Sequence, residues 1–236
     1  MIKVENIEIF GLDGAMRGMR NPLNSWNKAD TTVYQEHDRE FINIGVNDLN
    51  LATRLIKAGT EHRKFLRMIH VQMDIIAPLY WWKEADTYKI GTTTNSCSTM
   101  HKIAAKEFTL DDFSHEHLID SLEENWDIAT GDECRSTPLD ILYTVIDALN
   151  VYRKKYLETK DKKYWWQMIQ LLPSSYNQRR TWDMSMETLL SILHQRKNHK
   201  LDEWNRFREI CLEQVPYLKE FYEASLKENN NENSQN

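Results

Sequence analysis

A group of cationic side chains in the C-terminal half of the chain has residue types and a spacing that suit the binding of a small anion. The group consists of Arg179, Arg180, Arg196, His199 and Lys200. Guanidinium and imidazole groups held together can grip a phosphate or a negatively charged pyrimidine oxygen. Cations at the end of a helix are also favoured by the helix macrodipole alone. An anion site and a purely structural helix end therefore both stay open.

A second stretch rich in hydrogen-bonding side chains covers residues 86–102, DTYKIGTTTNSCSTMHK. Its hydroxyls and amides could hold a polar ligand, and we expect the whole stretch to be a loop. Cys97 lies within it, and His101 is the one histidine near it in sequence. A thiol without an activating neighbour is a poor nucleophile, so the sequence predicts an unreactive cysteine.

Two other patterns suggest ligands but are better explained by structure. The segment His115–His117 reads HEH, and residues two apart on a helix point in different directions. This pattern predicts a solvated helical face and no metal site. The pairs Trp81–Trp82 and Trp165–Trp166 could stack on a planar ligand. Packing in a core or between subunits is the favoured interpretation of both pairs.

The composition favours a helix-rich globular protein. Of the 236 residues 41% are hydrophobic, which is enough for a core, and the 7 glycines and 5 prolines leave few tight turns. The formal net charge is −6 and the pI is about 5.8. This acidic balance does not favour a protein that binds duplex nucleic acid, which usually needs a basic surface.

Three features bear on the location of the protein. The cysteines Cys97, Cys134 and Cys211 are far apart and odd in number, which favours a reducing compartment, taken to be the cytoplasm. The N-terminal residues MIKVENIEIFGLDG lack the basic and apolar regions of a signal peptide. No run of 18 apolar residues exists, so we expect no association with a membrane.

Hydrophobic periodicity and capping residues predict the elements that position these side chains. In the first half they are a strand at 3–10, a short helix and loop at 15–29, a helix at 48–58 capped by Asp48, a segment at 65–76 whose alternation suggests a strand, and an aromatic helix at 79–85. In the second half they are a capped turn from Thr109 to Asp112, a solvated helix at 115–126, and helices at 138–159, 163–172, 186–197 and 202–226.

This order of elements predicts an α+β fold dominated by helices. We expect a small antiparallel or mixed sheet and long C-terminal helices. Residues 1–227 are predicted to form a single domain. The polar residues 228–236 are predicted to be a disordered tail.

The segment 171–196, LLPSSYNQRRTWDMSMETLLSILHQR, resembles the flavin-dependent thymidylate synthases, the ThyX-like family. That family has a Leu-Pro after a helix, then an aromatic-rich turn, then a helix that ends in an arginine. The matching residues are Leu172, Pro173, Trp182, Leu189, Leu193 and Arg196. A weaker resemblance extends over most of the chain and includes DLNLATRLIKAGTEH at 48–62. The resemblance implies the fold of that family.

The family signature is only partly present. The family motif Asn-Glu-x-Ser-x-Arg-Tyr falls on residues 95–101, which read NSCSTMH and keep Asn95 and Ser98. The upstream Arg-His-Arg leaves one cation, Lys89. An asparagine and an arginine of the family's last site helix fall on Ser185 and Glu187. A carboxylate at a position that met a phosphate-bearing ligand adds repulsion and removes an ion pair.

The resemblance implies that reduced FAD supplies a hydride and a reduced folate supplies one carbon to C5 of dUMP, in a homotetramer. Arg196 is the implied catalytic residue, which stabilises charge on the pyrimidine. The implied binding residues are Asn95, Ser98, Arg179 and Arg196 for the pyrimidine nucleotide, and Lys89, Thr93, Ser185 and His199 for the cofactor. A nucleotide-binding or small-anion-binding protein on the same fold, which has lost flavin binding, is the alternative. A structural oligomer without a ligand is a third hypothesis.

Overall fold

A computed structural model describes residues 2–37, 39–121 and 136–226. In these ranges the strands are β1 (Lys3–Phe10), β2 (Thr32–Glu36), β3 (Arg39–Asn43), β4 (His70–Pro78), β5 (Thr92–Ser96) and β6 (Asn177–Ser185). The helices are α1 (Leu12–Gly18), α2 (Val46–Lys57), α3 (Leu79–Ala85), α4 (Thr99–Lys102), α5 (Pro138–Thr159), α6 (Lys162–Leu171), α7 (Met186–Gln195), α8 (Asp202–Gln214) and α9 (Leu218–Leu226). One sheet has the strand order β1-β4-β6-β5, and β2 pairs with β3 in an antiparallel hairpin.

The internal contacts of the chain fall into two compact units. The first comprises Met1–Lys3, Ile75–Thr87 and Asn95–Arg180, and the second comprises Val4–Asp74, Tyr88–Thr94 and Thr181–Asn236. Several strands of the sheet pass from one unit into the other along the chain, so this division does not test the single-domain prediction, which stays a prediction. No helix in the described ranges is both long enough and apolar enough to cross a membrane.

The first unit is built around α5 and α6. Helix α5 begins with a capping box, because the Thr137 hydroxyl accepts from the Asp140 N–H while the Asp140 carboxylate accepts from the Thr137 N–H. Pro138 at the first helical position adds a fixed backbone angle. The apolar core of the unit consists of Ile103, Ala104, Phe108, Phe113, Leu142, Ile146, Leu149 and Met168.

The second unit has its core between α7 and the C-terminal helices. The side chains of α7 that face this core are buried, and the adjoining aromatic cluster contains Trp182, Trp204 and Phe207. Helix α7 is capped at its start by Ser185, whose hydroxyl accepts from the Thr188 N–H at 3.2 Å. The apolar period of this helix was visible in the sequence, and its first residue was predicted correctly.

The start of α2 differs from the prediction that Asp48 caps it. The carboxylate of Asp30 accepts from the N–H groups of Asn47 (2.8 Å) and Asp48 (2.9 Å) instead. A Cβ at Gly45 would lie 2.2 Å from Cγ of Asp30, so glycine is required there. Asp48 in turn accepts from the N–H groups of Asp30 and Thr31, at 3.0 and 2.8 Å. Asp48 therefore fixes the preceding loop rather than its own helix.

Other predicted elements are confirmed closely. The bounds of β1, α3 and α5 agree with the predicted ones, and α6 begins and ends one residue earlier than predicted. The alternation predicted at 65–76 is confirmed as a strand only from His70, where β4 begins, while Lys64–Met68 form a short 3-10 helix. Thr109 and Asp112 form the predicted capping box, on a short 3-10 turn.

Three predictions of secondary structure are wrong. Residues 86–102 are not one loop, because they contain β5 and α4. The helix at 202–226 is two helices, since Pro216 has no N–H to continue α8 and Tyr217 has a φ of 61°. Residues 115–121 are not helical, while the remainder of the predicted helix at 115–126, and the polar tail, lie outside the described residues. The sequence interpretation also missed β6 and the β2–β3 hairpin.

Candidate functional site

A cavity of about 360 Å³ in the first unit contains two of the four residues predicted to bind the nucleotide. Ser98 and Arg179 line this cavity. Asn95 is exposed on β5 and is not part of the lining. Arg196 belongs to the second unit. The sequence thus predicted two residues of the cavity.

The backbone at the end of β5 positions Ser98 at the cavity wall. The Cys97 N–H donates to the Arg179 carbonyl at 2.9 Å, and Gln178 Nε2 donates to the Cys97 carbonyl at 2.8 Å. Ser98 then caps α4, because its Oγ accepts from the His101 N–H at 3.2 Å. The hydroxyl proton of Ser98 has no acceptor among the described residues and can be donated to a ligand.

Cationic groups dominate the lining, although the whole chain is acidic. Sequence reasoning missed Lys3, Lys102 and Lys106, which line the cavity beside Arg179. Two carboxylates, of Asp111 and Asp112, also line it. Asp112 is already engaged, since it pairs with Lys106 and accepts from the Thr109 N–H. Lys102 was detectable in the sequence because it lies four residues after Ser98, which is one helical turn.

Tyr176 adds a neutral donor to the cavity. Burial raises the pKa of its phenol, and the charge of Asp112 and the neighbouring Cys97 raise it further. The hydroxyl therefore stays protonated at neutral pH and is able to donate a hydrogen bond. Cys97 is a free, exposed cysteine that also lines the cavity.

In the second unit, Arg196 is held between aromatic rings at the end of α7. Its Nε donates to the Tyr88 hydroxyl at 2.7 Å. Its Cζ lies 4.7 Å from the centre of the Trp204 ring and 5.2 Å from that of Tyr88. Such cation–π contacts favour a partly buried guanidinium. The aromatic contacts fix the orientation of Arg196.

His199 lies directly beside Arg196, as the sequence grouping predicted. Arg196 Nη1 is 3.0 Å from His199 Nε2, and the Leu201 N–H faces His199 Nδ1 at 3.1 Å. The guanidinium and the imidazole thus lie together at the end of α7, and this combination of groups suits an anionic oxygen.

The other residues predicted to contact a flavin are less well suited to that task. The Ser185 hydroxyl is buried and is used as the cap of α7. Lys89 and Thr93 are exposed on either side of Gly91. Gly91 has a φ of +70°, and a Cβ there would lie 3.1 Å from the Thr188 hydroxyl. Glycine therefore permits a close approach of this turn to the start of α7.

Glu187, at the position of the family's arginine, has a cationic partner of its own. Arg63 Nε donates to both Glu187 oxygens at 3.1 Å, and the two side chains are only 15% and 16% exposed. The carboxylate is thereby neutralised within the second unit. The sequence did not predict this pair, because its members are 124 positions apart.

Two of the sequence candidates serve structural purposes. Arg180 forms an ion pair with Asp86 at 2.7 Å, and its Cζ lies 4.4 Å from the centre of the Trp82 ring. Trp81 and Trp82 are completely buried and stack edge to face, which confirms the interpretation of this pair as core packing. In the other pair, Trp165 packs against the core of the first unit while Trp166 is 42% exposed.

Comparisons with known proteins agree with the fold. No protein-family model matches the chain, and neither does any curated protein. Among solved structures, thymidylate synthase X from Helicobacter pylori, solved with FAD and dUMP, is 16% identical with a TM-score of 0.63, over 95% of this chain and 99% of that chain. A second structure of the Helicobacter pylori enzyme with FAD and dUMP has a TM-score of 0.60 and 16% identity, over 94% and 98% of the two chains.

A UMP/dUMP methylase, PolB from Streptomyces cacaoi, bound with 5-Br dUMP, is also similar. It is 14% identical with a TM-score of 0.56, over 95% of this chain and 94% of that chain. These similarities cover nearly the whole chain. The protein therefore has the ThyX-like α+β fold, and the fold predicted from the sequence is confirmed.

Proposed function

We propose that this protein binds a pyrimidine nucleotide and that the nucleotide phosphate occupies the cavity of the first unit. The observation that carries this proposal is the lining of that cavity, which contains Ser98, Arg179 and three lysines. The fold neighbours that were solved with dUMP or a brominated dUMP support a nucleotide as the ligand. A phosphate monoester at neutral pH is a dianion, and charge-assisted hydrogen bonds are the strong ones in proteins.

The donors in the cavity suit a phosphate in number and kind. Lys3, Lys102 and Arg179 supply positive charge, while Ser98 and Tyr176 supply neutral O–H groups. Lysine contacts a phosphate as a point charge, whereas arginine contacts it with two parallel bonds. We therefore expect weaker binding than an arginine-built site would give.

A divergent FAD-dependent thymidylate synthase is the second candidate function. The FAD present in two fold neighbours favours it, as does Arg196 at the position of a family site arginine. In that case FAD would supply a hydride, a reduced folate the one-carbon unit, and Arg196 would stabilise charge on the pyrimidine. However, Ser185 is already used as a cap and Glu187 adds a carboxylate. These residues do not fit a flavin diphosphate, so nucleotide binding is the function favoured here.

The test of nucleotide binding is titration calorimetry with dUMP and UMP. The double variant Lys102→Gln, Lys106→Gln is expected to weaken binding about tenfold or more, because the Lys102 contact is lost and the Asp112 carboxylate loses its ion-pair partner beside the phosphate. The matched control is Lys83→Gln, Lys154→Gln, which removes the same charge from exposed positions of the first unit outside the cavity. Equal affinity in the two double variants, or no binding by the unaltered protein at millimolar nucleotide, would contradict the proposal.

The flavin candidate is tested separately. A purified FAD-dependent enzyme absorbs near roughly 450 nm when its flavin is bound. A colourless protein that also fails to bind added FAD eliminates this candidate and leaves nucleotide binding intact. The homotetramer, which the resemblance implies, is tested by the molar mass of the protein in solution.

A further inference from the structure

A second cavity, of about 630 Å³, lies within the second unit and is lined by cationic and amide side chains. The polar residues of its wall include Arg20, Lys28 and Arg54, together with Asn27, Asn47 and Asn50. No carboxylate lines it among the described residues. In a chain with a net charge of −6, such a wall is a local concentration of positive charge.

Two segments build this wall. Asn47, Asn50 and Arg54 lie three and four positions apart on α2, so they share one face of that helix. Asn27 and Lys28 come from the 3-10 turn Trp26–Lys28 in the preceding loop. The hydrogen bonds between Asp30, Asp48 and the two segments hold the loop against the helix. The backbone segments that carry the amides and cations of the wall are thus positioned before any ligand arrives.

Arg20 is the buried member of the wall, at 3% exposed. Its Nε donates to Asp48 at 2.5 Å, and its Nη1 donates to the Ser25 carbonyl at 3.2 Å. Its Nη2 is buried and has no hydrogen-bond partner among the described residues. Buried polar groups in proteins are nearly always paired, so an unpaired guanidinium nitrogen in a cavity wall requires an explanation.

The charges of the wall are not balanced within the protein. Asp48 compensates Arg20, because their side chains form an ion pair at 3% and 1% exposure. Lys28 and Arg54 form no ion pair with any described residue. Two positive charges without an ion-pair partner therefore line the cavity, and one unmatched guanidinium nitrogen lies buried within its wall.

We propose that this cavity binds a phosphate-bearing anion. Lys28 and Arg54 neutralise the phosphate, and the buried guanidinium of Arg20, with its unmatched Nη2, adds a donor group within the wall of the site. The asparagine amides are able to pair with hydroxyl or carbonyl groups of an organic part. The cavity is much larger than an inorganic phosphate, so a small phosphorylated metabolite is the ligand class that fits it. This site is independent of the cavity in the first unit.

The experiment is titration of pyrophosphate, inorganic phosphate and dUMP into variants made in the Lys102→Gln, Lys106→Gln background, which weakens phosphate binding in the first unit. The variant Lys28→Gln, Arg54→Gln is expected to bind pyrophosphate about tenfold or more weakly than that background protein. Both side chains are exposed, so the Arg20–Asp48 pair and the fold are retained. The matched control is Arg17→Gln, Lys57→Gln, which removes two exposed cations of the same unit that do not line the cavity.

The control is expected to keep the affinity within about twofold, since exposed ion pairs contribute little. Tighter binding of dUMP than of inorganic phosphate would assign the site to phosphate esters, and tighter binding of inorganic phosphate would assign it to the free ion. Either result supports the proposal when the variant Lys28→Gln, Arg54→Gln also loses affinity. Equal losses in this variant and the control would overturn it. So would the absence of binding of all three ligands to the background protein at millimolar concentration.

Discussion

Arg63 donates from one nitrogen to both carboxylate oxygens of Glu187, and both side chains are largely buried in the second unit. The sequence resemblance alone aligns Glu187 with an arginine by which the ThyX-like family is expected to contact its ligand. The negative charge of Glu187 is therefore compensated by Arg63 within the second unit. A buried carboxylate of this kind is stable only while its cation remains.

Removing the carboxylate of this pair is expected to destabilise the protein. Glu187→Gln should lower the free energy of unfolding by about 1–3 kcal/mol, because Arg63 loses its bidentate partner in a mostly buried place. Urea unfolding measures the change. The control is Glu209→Gln, which breaks the exposed Arg206–Glu209 pair and should cost less than about 0.5 kcal/mol. If both variants lose the same free energy, the Arg63–Glu187 pair does not stabilise the fold.

The carboxylate of Asp48 should make the protein sensitive to acid. Burial acts to raise its pKa, but hydrogen bonds from Thr31, the Asp30 N–H and Arg20 outweigh this and lower the pKa below 3.8. The unfolded chain therefore takes up the proton first as the pH falls. Stability is fully present above the unfolded pKa and is lost as the pH falls through the folded one.

Asp48→Asn is the variant that tests this prediction. It should cost about 3–5 kcal/mol at neutral pH, since Arg20 remains buried without a countercharge. It should also flatten the dependence of unfolding free energy on pH below pH 3.8. Chemical unfolding of both proteins between pH 2 and about 5 gives the comparison. An unchanged pH dependence in the variant would assign the acid sensitivity to other carboxyl groups.

His194 should contribute a second loss of stability, nearer to neutral pH. Burial lowers its pKa below 6.5, and the charges of Arg63, Arg208 and Lys197 lower it further. The unfolded chain then binds a proton that the folded protein excludes. Stability is therefore complete above pH 6.5 and decreases as the pH falls from there toward the folded pKa.

His194→Gln should reduce the change in unfolding free energy between pH 7.5 and about 5. The comparison is His62→Gln, which alters an exposed histidine of the same unit and should leave the change intact. Ser225 is 2.7 Å from His194 Nε2 and donates to the Tyr222 carbonyl, so its oxygen accepts a hydrogen bond from the histidine. A retained pH dependence in His194→Gln would assign the loss of stability near neutral pH to groups other than His194.

Under the second candidate function, Arg196 is expected to contact a pyrimidine ring rather than serve only the fold. Arg196→Ala should weaken dUMP binding roughly tenfold or more if the guanidinium contacts the pyrimidine. Tyr88→Phe is the comparison, because it removes the hydroxyl that accepts from Arg196 Nε and leaves the charge in place. Unfolding curves of both variants separate stability from binding. Unchanged dUMP affinity in Arg196→Ala would give this residue a structural role alone.

Long helices with local signals could be predicted from the sequence. Four consecutive residues, 137–140, contain the signals that mark the start of α5. They are the capping box of Thr137 and Asp140 and the proline between them. The strand β5 was missed although its three threonines are β-branched, a residue type that favours strands. Their hydroxyls suggested a loop. The residues pair instead as a strand beside β6, which lies far away in the sequence.

The candidate sites depended more on contacts between distant residues. Strand β6 alternates buried Gln178, Trp182 and Met184 with outward side chains, but the adjacent Arg179 and Arg180 hid that period. Ser98 was predicted as a neighbour of a nucleotide from the family resemblance, and Arg179 from the group of cationic side chains. The partnership of Arg20 with Asp48 spans 28 positions, and no local pattern indicates it.

The reciprocal hydrogen bonds of Asp30 and Asp48 have a consequence for local opening of the chain around the start of α2. Asp30 holds two backbone amides of α2, and Asp48 holds two backbone amides of the loop before it. Neither segment can release its own amides without removing acceptors from the other. The loop and the first turn of α2 should thus open as one cooperative unit, and hydrogen exchange of their four amides should give a common free energy of opening.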